Sequence, residues 1–121
     1  MHEFTTAQSI INTIKRIINA EKIKELHRVE LVVGELTFLE TEQLSFWIRE
    51  GLKEKFSPEI AIEVIEPKIR CEECNYQGKM KIRDDPVFHL SLPTFACPKC
   101  QGDKIKIITG RECFLKSIVV D

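Results

Sequence analysis

No run in this chain approaches the ~20 apolar residues needed to cross a bilayer, so no membrane-spanning segment is expected. The opening, Met1-His2-Glu3-Phe4-Thr5-Thr6, has no basic region followed by an apolar one. No secretory signal is therefore visible, and the cytoplasm is the expected location. There is no Ser/His/Asp set, no glycine loop of the kind that cradles phosphate, and no His-rich signature of a catalytic zinc, so no enzyme is expected. Internal repeats and low-complexity tracts are lacking as well. The 121 residues leave room for one ordinary domain, or a small domain plus a metal-stapled module, and a hydrophobic content of 43% suffices for a core.

Net charge is also small, at −1, but it conceals a split. Residues 67–111 carry nine Lys and Arg against five acids, a net +4, while the remainder carries nine against fourteen, a net −5. That segment also holds Cys71, Cys74, Cys97 and Cys100 in two CxxC pairs, and four thiolates on a zinc ion would add −2 and leave it at only about +2. That is a thin footprint for a nucleic-acid binder. Lys79, Lys81, Arg83, Lys104 and Lys106 are available to phosphates, yet aromatic residues are not interleaved with them.

What is present organises simply. Thr5-Thr6-Ala7-Gln8 reads as a capping box with Thr5 as N-cap. Ala7, Ile10, Ile11, Ile14, Ile17 and Ile18 then follow helical spacing to an end near Ala20. Val29, Leu31 and Val33 mark a strand at about 27–35. Thr41 is placed to cap a second helix with an apolar face of Leu44, Trp47, Ile48 and Leu52, and Trp47 is expected in the core. Ile60, Ile62 and Val64 alternate in a second strand that stops at Pro67, and Cys113 to Val120 reads as a third. Two strands alone would be marginal. The expected fold is therefore α+β: two helices packed on a three-stranded sheet, with a turn-rich module inserted before the last strand. The expected division is one domain from residues 1–66 and 112–121, and a second from 67–111.

The inserted module holds Cys71-x-x-Cys74 and Cys97-x-x-Cys100, with 22 residues between the pairs. Disulfides are disfavoured in a reducing cytosol, whereas two CxxC turns brought together supply four thiolates for tetrahedral Zn²⁺. Four cysteines leave no position for an activated water, so the zinc is expected to be structural. Iron with the same four ligands is the main rival. Neither pair opens a helix as a redox dithiol would. Cys113 stands apart and is expected as a small buried apolar residue.

The amino terminus offers a second donor set. A bulky second residue should leave Met1 in place, so its α-amine, the His2 imidazole and the backbone nitrogens of His2 and Glu3 can converge on one ion. Such nitrogen-rich, planar arrangements suit Ni(II) or Cu(II). Glu3 adds a carboxylate, axial or hydrogen-bonded to the imidazole. The bland reading of His2 is a frayed, solvated residue. Glu35, Glu40 and Glu42 are read as a solvated loop and helix start, and His27 is given no role.

Taken together, Met1-His2-Glu3-Phe4 before an amphipathic helix, Val32-Val33-Gly34-Glu35-Leu36 at the end of a strand, and the paired CxxC motifs before a closing strand resemble the HypA/HybF nickel metallochaperones of NiFe-hydrogenase maturation. The resemblance covers essentially the whole chain. It implies a protein that binds nickel at its N-terminus and hands it to a hydrogenase large-subunit precursor. It also implies a HypB-type GTPase as partner, with urease maturation factors as further candidates. It places nickel on His2, helped by Met1, nearby backbone nitrogens and Glu3, and structural zinc on Cys71, Cys74, Cys97 and Cys100. His89 is a further candidate nickel ligand, if the cysteine module folds back on the helical part. The competing reading is a zinc-ribbon interaction module contacting nucleic acid or a protein complex.

Overall fold

The structure is a computed structural model that describes residues 2–79, 82–85, 90–93 and 96–121. Helix α1 (Glu3–Glu21) is followed by strand β1 (Leu26–Gly34), a 3₁₀ turn (Glu35–Thr37), helix α2 (Thr41–Leu52) and strand β2 (Glu59–Ile65). Five short strands come next: β3 (Lys68–Cys71), β4 (Gln77–Lys79), β5 (Ile82–Asp85), β6 (Leu90–Pro93) and β7 (Ile105–Thr109). The last strand is β8 (Cys113–Val120). No described helix is long and apolar enough to cross a membrane.

The expected α+β architecture is present. The first sheet has the order β2-β1-β8, with β2 parallel and β8 antiparallel to the central strand. Helix α2 is the crossover that the parallel pairing of β1 and β2 requires. Strand β8 returns from the far end of the sequence to make the third strand, matching Leu26 with Val120 and Val33 with Cys113. One face of this sheet is closed by the helices. Ala7, Ile10, Ile11, Ile14 and Ile18 of α1, Leu44, Ile48 and Leu52 of α2, and Val29, Leu31 and Val33 of β1 form one buried cluster. Burial of each such Ile, Leu or Val contributes about 1.5–3 kcal/mol. This explains how an isoleucine-rich segment of modest helix propensity is held as a helix.

Local chemistry shifts two predicted boundaries, the start of each helix, while α1 ends where expected. Helix α1 starts two residues before the capping box, because the His2 carbonyl already accepts the Thr6 N–H at 2.9 Å. His2, not Thr5, is the N-cap, in the left-handed region at φ 62°. The helix ends at Glu21, where Lys22 turns left-handed and Ile23 N–H bonds the Ile18 carbonyl at 3.0 Å, a Schellman-type stop. Helix α2 is capped by Glu40 rather than Thr41, through a carboxylate that accepts the Glu42 N–H at 3.1 Å.

Two residues expected inside lie elsewhere. Cys113, at the start of edge strand β8, is exposed. Trp47 is half-buried, packed on the core cluster rather than within it.

The inserted segment builds a second sheet of order β4-β3-β7, and β5 and β6 form an antiparallel pair running Ile82↔Pro93 to Asp85↔Leu90. Its junctions with the first sheet are tied down. Thr109 Oγ1 donates to the Glu66 carbonyl at 2.8 Å, and Leu36 N–H bonds the Gly110 carbonyl at 2.8 Å.

Candidate metal centres

The two CxxC segments are two copies of one turn. Cys71 N–H bonds the Tyr76 carbonyl at 2.8 Å and Asn75 N–H bonds the Cys71 carbonyl at 3.1 Å. Cys97 N–H bonds the Gly102 carbonyl at 2.9 Å and Gln101 N–H bonds the Cys97 carbonyl at 2.8 Å. Each turn closes through one left-handed residue, Asn75 at φ 61° and Gln101 at φ 60°. Strands β3 and β7 bring the turns together, and the Glu72 N–H reaches across to the Lys104 carbonyl at 2.9 Å.

The result is a cluster in which the four sulfurs all lie within 4.8 Å of one another. The Cys71–Cys100 and Cys74–Cys97 sulfur pairs are each 3.6 Å apart. A disulfide would need about 2.05 Å. A tetrahedron with Zn–S of about 2.3 Å has edges of about 3.8 Å, so the donor set fits zinc. Cys71 and Cys97 are buried, whereas Cys100 lies on the exposed side. Backbone N–H groups point at sulfur from Lys99 and Cys100 (to Cys97, 3.4 and 3.5 Å) and from Gly102 (to Cys100, 3.4 Å).

These donors favour thiolate. Desolvation opposes ionisation of Cys97, yet the N–H groups of Cys100 and Lys99 and the neighbouring thiols bring it down to about 7. At Cys100 the Gly102 N–H is outweighed by desolvation and by the other sulfurs, which push the thiol up to about 12. Four thiols this close cannot all ionise without a cation among them, and a divalent ion supplies that charge.

At the other end of the chain, His2 is exposed at the tip of α1. The Glu3 carboxylate reaches to the start of α2 and accepts the Glu40 N–H at 2.9 Å. Two helix N-termini thus meet beside His2. Their dipoles disfavour a bare cation, and the carboxylates gathered there offset that field. Met1 and His89, both candidate nickel ligands, lie outside the described residues.

Two relationships were not legible in the sequence. The Glu3–Glu40 contact spans 37 positions, and only the crowding of Glu35, Glu40 and Glu42 hinted at an acidic end. His27, given no role, has its Nε2 at 2.7 Å from Asp121 Oδ1 and 3.3 Å from Glu25 Oε2. The bond from Asp121 raises the imidazole above its ordinary range.

Comparison with known proteins decides the family. The model of a family described as "Hydrogenase/urease nickel incorporation, metallochaperone, hypA" matches residues 1–120. The chain belongs to the HypA family. It is 34% identical to the hydrogenase maturation factor HypA of Methanocaldococcus jannaschii, over 100% of this chain and 98% of that protein. It is 33% identical to the factor of the same name from Methanococcus aeolicus, again over 100% and 98%. The fold is similar to that in the solution structure of the Ni metallochaperone HypA from Helicobacter pylori. The TM-score is 0.62 and the identity 19%, over 99% of this chain and 97% of that one. The HypA family is one of nickel metallochaperones rather than catalysts, and the chain is accordingly not an enzyme.

Proposed function

We propose that this HypA-family chain carries Ni(II) at its amino-terminal end and delivers it for maturation of a NiFe-hydrogenase, with a structural zinc ion on Cys71, Cys74, Cys97 and Cys100. The observation that carries the nickel assignment is the position of His2: an exposed imidazole at the very tip of α1, beside a Glu3 carboxylate fixed to α2. The ligands are His2, Met1 and Glu3, with His89 as a further candidate. A site on the surface suits a cargo that must leave as readily as it enters, by exchanging protein ligands for those of a recipient.

Zinc plays a different part in this reading. Four thiolates fill its coordination shell, so it offers no open position and serves to hold the two turns together. Residues 1–66 and 112–121 form the nickel-binding domain, and 67–111 the zinc-binding domain. The partners are a HypB-type GTPase and the hydrogenase large-subunit precursor, with urease maturation factors as further candidates, and the setting is cytoplasmic.

Calorimetric titration of Ni(II) into untagged, zinc-loaded protein tests this, beside a His2→Ala variant. Near-stoichiometric binding that disappears in the variant, with zinc retained, supports delivery from the N-terminus. Equal binding by both proteins, or by neither, removes the central residue. The zinc-ribbon interaction module would then be the better account.

A further inference from the structure

Strand β1 does not pair evenly with β8. Leu26 opposes Val120 and Arg28 opposes Val119, so His27 between them is an extra residue in the ladder, a β-bulge. Bulges re-aim a side chain, and they recur beside functional sites. This one brings the His27 ring to Asp121, just past the end of β8, and to Glu25, just before β1.

Both carboxylates reach the same ring nitrogen, Nε2, Asp121 at 2.7 Å and Glu25 at 3.3 Å. A single N–H cannot serve two acceptors equally well. The Glu25 and Asp121 carboxyls also hydrogen-bond each other, which needs a proton between them and holds Glu25 above its ordinary value. All three donor atoms lie within 4.8 Å of one another. Metal–ligand bonds of about 2.1 Å set neighbouring donors about 3.0 Å apart in an octahedron and about 3.4 Å apart in a tetrahedron. The two distances from Nε2 fall around those edges.

Charge favours a cation as well. An imidazolium leaves the two carboxylates one negative charge in excess, whereas a divalent ion on a neutral imidazole balances them. Arg28, next along β1, is committed to Glu30 at 3.0 Å and to Glu59 at 2.9 Å. The charges acting on Glu25 and Asp121 are those of each other and of His27, and Lys22 and Lys24 in the preceding turn do not reach them.

We propose that Glu25, His27 and Asp121 form a surface site for a first-row divalent transition-metal ion, with His27 Nε2 and one oxygen of each carboxylate as ligands and water in the remaining positions. One imidazole and two carboxylates suit ions such as Mn(II), Co(II) or Ni(II). Loading displaces the protons on Nε2 and between the carboxyls. The site lies where α1 ends and His2 lies where it begins, and 19 residues at 1.5 Å each separate them by roughly 28 Å. It is therefore distinct from the amino-terminal donors, and its existence does not depend on nickel delivery.

The test titrates full-length, zinc-loaded, nickel-free protein with Mn(II), an ion suited to oxygen donors rather than to thiolates or a planar nitrogen set. Bound Mn(II) is paramagnetic and broadens nearby amide resonances. Amides of residues 25–27 and of Asp121 should broaden well below one equivalent, while those of Glu42 and Glu54, exposed acids elsewhere, keep their widths. His27→Ala and Asp121→Asn should each weaken binding at least about tenfold, the lower end for even a supporting group of a metal site. Unchanged amide shifts in the α1–α2 core would show that both variants are folded. Broadening no stronger at 25–27 than at Glu42 and Glu54 overturns the proposal, as does selective broadening that persists in His27→Ala. Ni(II) taken up here would survive in His2→Ala as a weaker phase, and adding His27→Ala to that variant should remove it.

Discussion

Gly34 and Gly110 are in backbone contact: a Cβ built on Gly34 would sit 2.1 Å from the Gly110 carbonyl oxygen and 2.7 Å from the Arg111 nitrogen. The contact fastens the end of β1 to the segment between β7 and β8. It is reinforced by the Gly34 N–H on the Glu112 carbonyl at 2.6 Å. Gly110 itself has φ 116°, a conformation side chains rarely adopt, and a Cβ there would lie 2.9 Å from Pro67 Cα. A methyl group at Gly34 therefore has only backbone to displace. Gly34→Ala is expected to cost about 2–4 kcal/mol, read as a lowered urea midpoint with zinc still bound. An unchanged midpoint would show that the junction yields freely.

Removal of the metal ligands tests both the zinc assignment and the domain division. Cys71 is buried and its turn holds the start of the second sheet. Cys71→Ala should abolish stoichiometric zinc. Hydrogen exchange should then show lost protection at 68–79 and 105–109, with β1 amides and the α1–α2 core still protected. Collapse of protection throughout the chain would mean that the two parts do not fold separately.

The role given to Glu3 has its own signature. Its carboxylate bridges α1 to the Glu40 amide, and in the proposed site it also serves nickel. Glu3→Gln should lower Ni(II) affinity by about 10–100-fold, the range for a supporting group of a metal site, without altering zinc content. Unaltered nickel affinity would reduce Glu3 to a helix–helix tie.

The His27–Asp121 pair links the first residues of β1 to the end of β8 and should respond to pH. Asp121, whose hydrogen bond is the main cause, raises His27 above its unfolded value. The stabilisation is therefore fully present below the unfolded pKa of about 6.5 and is lost as pH rises through the folded value. Both partners are exposed, so the effect is small. The stability gap between wild type and His27→Gln should be wider near about pH 5.5 than near about pH 8. A gap independent of pH would exclude a charged imidazole as its source.

By itself the sequence determined the kinds of element and the donor sets. Helical and alternating periodicity placed α1, β1, α2, β2 and β8 because burial of one face imposes those periods. The spacing of Cys71, Cys74, Cys97 and Cys100 announced one metal cluster, since a CxxC turn can hardly aim its sulfurs anywhere else. Element ends were less legible. At Thr5 and Thr41 the capping chemistry looked sufficient. The His2 carbonyl and the Glu40 carboxylate, each earlier in the chain, satisfied the orphan amides first.

Only the tertiary structure decided which distant residues meet. The parallel partner of β1, the seating of Gly34 against Gly110, the exposure of Cys113 at a sheet edge, and the bridges from Glu3 to Glu40 and His27 to Asp121 all depend on residues far apart in the chain. Local pattern carries no information about such pairs, because it records which side of an element is apolar and not what that side will face. The packing of α1 on α2 supplies that answer. It also sets the Phe4 ring edge to face against Trp47.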